Sequence, residues 1–225
     1  MTRLDRWLVE QGHFSSRQTA KRAINSGHVI VNGQPAKPST NIDRGESITI
    51  VCESLDYPLG FDKLKRINEI FGLELIQEGD TILDVGSSAG GFLLYALNVG
   101  ADCIGIEISE SFAEDLIKIA DQYNNISVLI GNAFSIDPAI VCHDGKLDTL
   151  LIDVTTTPGG TLQLAQRYAR LLKNTGWLVL AIKMEFNQDS AQQTYLELAE
   201  IGFTDVKALV LSDSKQEFHM IARRH

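Results

Sequence analysis

The stretch Asp84-Val-Gly-Ser-Ser-Ala-Gly-Gly-Phe92 decides how this chain folds. It follows the apolar run Thr81-Ile-Leu and opens the apolar segment that starts at Leu93, so an acid and three glycines stand between a strand and a helix. A glycine turn at such a junction lets a ligand approach the backbone closely. The next strand signal, Asp102-Cys-Ile-Gly-Ile-Glu107, ends on an acid. That acid lies about twenty residues beyond the turn, where a carboxylate takes two hydrogen bonds from a ribose diol. Turn and acid together read as a nucleotide-binding strand–helix–strand unit.

The glycine spacing narrows the ligand. A dinucleotide site uses Gly-x-Gly-x-x-Gly to set a pyrophosphate on a helix N-terminus. Here the run is Gly86-x-x-x-Gly90-Gly91, which misses that spacing. S-adenosylmethionine has no pyrophosphate, and a turn shaped for an amino acid and a nucleoside suits it better. Gly131-Asn-Ala-Phe134, after the following strand signal, places a polar side chain and an aromatic ring near an adenine. The candidate cofactor residues are therefore Asp84, Gly86, Ser87, Ser88, Gly90, Gly91, Phe92, Glu107, Asn132, Ala133 and Phe134. No cysteine or histidine spacing suggests a metal site.

Outward from the turn, strand signals recur at 127–130, 149–153, 177–182, 206–210 and 218–222, with helical stretches between them. Phe61, Leu64, Ile67 and Phe71 line one side of a helix that Gly72 can end. Strands alternating with helices imply an α/β domain over 61–225, with a mostly parallel sheet covered on both faces. Residues 52–60, with Pro58, read as a linker.

Residues 1–51 read as a separate, small α+β unit. Leu4, Trp7 and Leu8 have helical spacing and Gly12 ends that segment. Ser15 and Gln18 form a capping box for a second helix, whose buried face is Ala20, Ala23 and Ile24 and which Gly27 ends. His28-Val-Ile-Val is a strand, Asn32-Gly33 a tight turn, and 46–51 a later strand. Arg17, Lys21 and Arg22 lie a turn apart on the second helix, where their charges can converge on a phosphate backbone.

The net charge of −9 argues against a chain coated in basic surface. It is unevenly divided: residues 1–50 carry seven Lys or Arg against four Asp or Glu, and the remainder thirteen against twenty-five. A polyanion would dock at the head. Cys52, Cys103 and Cys142 lie far apart and are odd in number, which fits reduced thiols in a cytoplasmic protein. The start, Met1-Thr-Arg-Leu-Asp-Arg-Trp, lacks the apolar stretch of a signal peptide, and no apolar run approaches a membrane span.

These residues resemble a known family. Asp84–Phe92 is similar to the Asp-x-Gly-x-x-x-Gly-Gly-Phe/Trp signature of the FtsJ/TlyA group of RNA ribose methyltransferases. The head resembles an S4-like RNA-binding domain in Arg3-Leu4-Asp5, Gly12, Ser16-Arg17, Ala20, Ile24, Gly27, Val29, Val31-Asn32-Gly33 and Pro38. An S4-like head on an FtsJ-like body is the arrangement of TlyA-type ribosomal RNA methyltransferases, some of them labelled haemolysins. The resemblance implies a Rossmann-like methyltransferase sheet, S-adenosylmethionine as cofactor and RNA, in particular ribosomal RNA or a ribosomal subunit, as partner. It implies RNA contacts from Arg3, Arg6, Arg17, Lys21, Arg22 and Lys37. It also implies a catalytic tetrad of Lys63, Asp153, Lys183 and Glu217, with Lys65 two residues from the first position as its rival. In that scheme a neighbouring ammonium lowers the pKa of Lys183, which serves as base toward a ribose 2′-hydroxyl. Lys63 and Asp153 orient it, and Glu217 holds the lysines. An RNA-binding protein with an inactive body is the rival expectation, and a base methyltransferase the rival chemistry.

Overall fold

The structure, a computed structural model, describes residues 2–14, 16–25, 29–43, 45–50, 57–211 and 216–225, with the Arg22 side chain excepted. The chain forms two compact units, Met1–Tyr57 and Pro58–His225.

The first unit contains β1 (Thr2–Arg3), α1 (Leu4–Glu10), α2 (Arg17–Asn25), β2 (Val29–Val31), β3 (Gln34–Pro35), β4 (Asn41–Ile42) and β5 (Ile48–Ile50). β1 pairs with β4, and β2 lies between β3 and β5. Leu4, Leu8, Ala20, Ala23 and Ile24 are buried together with Phe14, Val29, Val31 and Ile42, so the apolar faces of both helices close on the small sheets. Asn32 and Gly33 both take positive φ, 51° and 77°, which is the mirror-image turn that a two-residue hairpin between β2 and β3 requires. The expected cap Ser15 lies outside the described residues, as do Gly27, His28 and Val51. Among those described, Ser16 caps α2: its Oγ accepts the Thr19 N–H at 3.2 Å.

The second unit runs α3 (Leu59–Ile70), β6 (Thr81–Val85), α4 (Gly91–Val99), β7 (Asp102–Glu107), α5 (Glu110–Gln122) and β8 (Ile126–Ile130). It continues through α6 (Pro138–Val141), β9 (Leu147–Ile152), α7 (Pro158–Tyr168), β10 (Leu172–Ile182), α8 (Gln188–Glu200), β11 (Phe203–Leu209) and β12 (Phe218–Arg224). α3 begins at Leu59, so the end of the segment expected as linker is helical, while 52–56 lie outside the described residues.

One seven-stranded sheet carries this unit, in the order β11-β12-β10-β9-β6-β7-β8. Neighbours from β8 across to β10 are parallel; β12 runs antiparallel to both β10 and β11. Leu83, Val85, Leu150, Ile152, Leu178 and Leu180 fill the middle of the sheet, and Leu164, Tyr168 and Phe203 pack with them. Each such side chain contributes about 2 kcal/mol by leaving water. The strand order turns back on itself at β6 and β9, which opens a crevice at their carboxyl ends. The one reversed strand matters as well. Phe218 is in register with Ile182, so the start of β12 lies at the edge where β10 ends.

Candidate active site

The glycine turn follows β6 at that crevice. Gly86 has φ +92°, and a Cβ there would stand 2.6 Å from the Asp153 carbonyl oxygen. Only glycine lets β6 and β9 converge so closely. Ser88 is also left-handed, at φ 50°, a conformation that costs a non-glycine residue about 1 kcal/mol. Glu107 offsets that cost: its Oε2 accepts the Ser88 N–H at 2.7 Å while its Oε1 accepts the Ser109 N–H at 2.7 Å. Each oxygen keeps a second lone pair for a ribose hydroxyl.

Glu107 and Ser88 line a cavity of about 470 Å³ with Gly86, Ile108, Asn132 and Phe134. Asn132 shapes its far wall, with Oδ1 accepting the Phe134 N–H at 2.9 Å, and Phe134 is 36% exposed at the rim. Ala133 is buried and anchored through its carbonyl, which accepts the Tyr168 hydroxyl at 2.8 Å. Beneath the turn, Ser87 donates to the Asp84 carbonyl at 3.0 Å. Gly90 caps α4, and Phe92 is buried in its first turn. Neither carboxylate oxygen of the buried Asp84 has a protein hydrogen-bond partner, and burial pushes its pKa up to about 7. The Asp84 carboxyl is sealed behind the glycine turn and lines neither of the two cavities at this crevice. S-adenosylmethionine, with a ribose diol for Glu107 and an adenine for the Asn132–Phe134 wall, fits this lining.

A second cavity, of about 450 Å³, shares Gly86, Ser88, Asp153 and Thr155 with the first. Lys63, Lys183 and Glu217 line its other side. The four expected tetrad residues close into a ring. Lys63 Nζ donates to Asp153 Oδ2 at 2.7 Å and lies 2.9 Å from Glu217 Oε1. Lys183 Nζ donates to Asp153 Oδ1 and, at 2.7 Å, to Glu217 Oε2. Lys65 is half exposed and lies 3.9 Å from Glu69, so the structure puts Lys63 in the ring.

Charge in this ring differs from the expectation for Lys183. Burial lowers its pKa, but the Asp153 charge and the hydrogen bonds to Asp153 and Glu217 outweigh that, and the net direction is upward. The cause is that two carboxylates, Asp153 and Glu217, stand between the lysines and favour the charged form of Lys183. Asp153 is pulled down by Lys63 and Lys183 against its own burial, and Glu217 by the same two lysines.

Gly60 and His219 escape sequence reasoning, and Gly91, expected at the cofactor, has a packing role that the sequence did not show. A Cβ on Gly91 would stand 2.7 Å from the Phe61 backbone nitrogen, and one on Gly60 3.0 Å from the Phe92 ring. This glycine pair lets α3 cross the start of α4 and carries Lys63 to Asp153; the matching small residues were its only sequence signal. His219 is fully buried with neither ring nitrogen hydrogen-bonded, and burial, with the Lys63 charge, lowers its pKa to about 4. Its position in an apolar strand gave no sign of that setting.

The head's cations separate into groups. Arg3, Arg17 and Lys21 gather at Asp5. Arg6 instead donates to Glu10 at 2.7 Å, Lys37 is exposed, and the Arg22 side chain lies outside the described residues. Among the described residues no group of three or more His, Cys, Asp or Glu could hold a metal ion, and no helix is long and apolar enough to cross a membrane.

A sheet of this order, with one reversed strand and a glycine turn at its crevice, defines a Rossmann-like methyltransferase fold. The chain belongs to the FtsJ-like methyltransferase family, whose model matches residues 60–208, and an S4 domain model matches residues 2–48. It is 33% identical over 100 residues to the 16S/23S rRNA (cytidine-2′-O)-methyltransferase TlyA of Mycobacterium tuberculosis, covering 44% of this chain and 37% of that protein. It is 39% identical over 101 residues to YqxC of Bacillus subtilis, covering 44% and 35%. These matches thus span only a little over a third of each curated relative. Among solved structures, a Streptococcus thermophilus protein described as a hemolysin superposes with a TM-score of 0.60 at 22% identity, covering 99% of this chain and 88% of that one. Aeropyrum pernix fibrillarin, solved with S-adenosylmethionine, superposes at 0.54 with 20% identity, covering 66% and 68%. At such identities the superpositions speak for the fold.

Proposed function

We propose that the chain moves a methyl group from S-adenosylmethionine to a ribose 2′-hydroxyl of ribosomal RNA in the cytoplasm, with its first unit binding the RNA. The observation that carries this reading is the closed ring of Lys63, Asp153, Lys183 and Glu217 beside the cofactor-sized cavity, joined to it by Gly86, Ser88, Asp153 and Thr155. Glu107 would hold the ribose diol of the cofactor and the Asn132–Phe134 turn its adenine, with Asp84 supporting the glycine turn from behind. When bound, the cofactor supplies an electrophilic methyl whose bond to sulfur breaks as the bond to oxygen forms.

The ring's task is alignment. Lys183, whose pKa is raised, keeps its proton and donates a hydrogen bond to the acceptor oxygen, holding a lone pair toward the methyl. Lys63 and Glu217 fix Lys183 and Asp153 in place. The hydroxyl proton passes to the Asp153 carboxylate late, when the oxygen already carries the methyl and has become strongly acidic, and from there to solvent. A carboxylate of depressed pKa is a sufficient base at that stage. The relatives named for rRNA methylation and the S4 match support the choice of acceptor.

The test is transfer of tritiated methyl to total RNA and isolated ribosomal subunits, with Lys183→Ala run beside the wild type and the product digested to nucleosides. Label on a ribose that disappears in the variant is the expected result. Label on a base would overturn the ribose assignment. Absence of both label and cofactor binding would overturn the enzyme reading and leave an RNA-binding protein.

A further inference from the structure

The head gathers three cations around one acid. The Asp5 side chain is fully buried at the start of α1. Arg3 donates to it through Nε and Nη2, at 3.1 Å to each oxygen. Arg17 Nη2 donates to Oδ2 at 3.0 Å, and Lys21 Nζ lies 3.9 Å from the same oxygen. The three cationic side chains are 46%, 53% and 48% exposed. Hydrogen bonding from Arg3, against burial and assisted by Arg17, brings the Asp5 pKa down to about 2, so it stays ionised wherever RNA is stable.

One buried carboxylate needs one cation for neutrality, and this one holds three, leaving an excess of two positive charges at the surface. Such a grouping is self-repelling, and the shared carboxylate is what keeps it together. The donors are not exhausted. Three of the five N–H groups on Arg3 and four of the five on Arg17 are not spent on Asp5. Planar guanidinium forks fixed in direction and backed by an ammonium match the paired oxygens of a phosphate. A backbone phosphate is also what anchors a protein to RNA without reading its sequence.

We propose that Asp5 is a positioning residue that assembles Arg3, Arg17 and Lys21 into one RNA phosphate site, so that removing its negative charge weakens RNA binding. Charge counting alone requires the opposite, because Asp5→Asn makes the head more positive. In that variant the new amide N–H groups face the guanidinium donors, and the three cations lose their common anchor. The inference rests on the proposed reading of the first unit as RNA-binding.

The experiment measures anisotropy of a fluorescein-labelled RNA hairpin with the full chain across a potassium chloride series, with thermal unfolding of every variant alongside. Arg17→Gln should bind about tenfold more weakly, with a salt slope shallower by about one ion. Asp5→Asn should bind about fivefold more weakly despite its added positive charge, the cost of lost preorganisation. In an Arg3→Gln/Arg17→Gln background the same Asp5→Asn change should cost less than about twofold, because the groups it positions are gone. Asp5→Asn binding as tightly as wild type, while Arg17→Gln is weakened, overturns the positioning role and spares the RNA reading. An equal loss in both backgrounds overturns it too and makes Asp5 a fold residue. No binding by the wild type, or full binding by Arg17→Gln, overturns the RNA reading itself.

Discussion

Two charge clusters in this chain use the same residue types in opposite proportions. At Asp5, three cations share one carboxylate and stand about half exposed. In the ring of the second unit, two lysines alternate with two carboxylates, and the four side chains are only 12–26% exposed. The first cluster has charge left over for a partner. The second has none, and its hydrogen bonds point inward and fix one geometry. An unbalanced, exposed cluster is built to attract; a balanced, sheltered one is built to hold atoms in place. Counting charges by segment treats the two alike, because it does not say which acid meets which cation.

The largest effect should come from unbalancing the ring. Asp153→Asn leaves two ammoniums facing one carboxylate, and methyl transfer should fall about 1,000-fold, with cofactor affinity nearly unchanged. Retention of a tenth of the activity would show that the ring is merely a structural lock. Next comes its assembly: Gly91→Ala drives a methyl group into the α3 backbone and displaces Lys63, and a shift near 1 Å should cost about 100-fold in turnover. Gly60→Ala has its nearest contact at 3.0 Å, against 2.7 Å for Gly91→Ala, and should lose less.

Glu107→Gln should weaken S-adenosylmethionine binding about tenfold by calorimetry, through loss of charge-assisted hydrogen bonds. Unchanged affinity would reduce Glu107 to a prop for the Ser88 turn. Asp84 gives a pH signature. Its folded pKa, near 7, lies above its ordinary value, so its contribution to stability is full below about pH 4 and is lost as pH rises through 7. Asp84→Asn should therefore shrink the drop in Tm between about pH 5 and pH 8 by a few degrees. An unaltered drop would mean the carboxyl titrates normally. The smallest effect belongs to Arg6→Gln, which touches a cation already paired with Glu10 and should change RNA affinity less than about twofold.

The parts that were legible in the sequence are those whose logic is local. The glycine turn, the acid ending β7 and the buried faces of α1 and α2 depend on spacings of a few to about twenty residues. The tetrad was legible only through family resemblance, and Lys63 against Lys65 stayed open. Helical spacing puts the two lysines on different sides of α3 without saying which side meets the sheet. Asp5 was visible as part of Arg3-Leu4-Asp5, but its capture of Arg17 and Lys21 needs the two helices packed together.

Composition, periodicity and turn chemistry by themselves determined that this chain carries a small α+β head, an α/β body and a nucleotide-type turn, because backbone preference and burial act over short stretches. Tertiary structure alone decided which charges meet. Lys63 reaches Asp153 because Gly60 and Gly91 let two helices cross, and Glu217 reaches Lys183 because β12 runs backwards in the sheet. The direction of the Lys183 pKa follows from those meetings, since electrostatic energy depends on distance through folded space, which sequence separation does not encode.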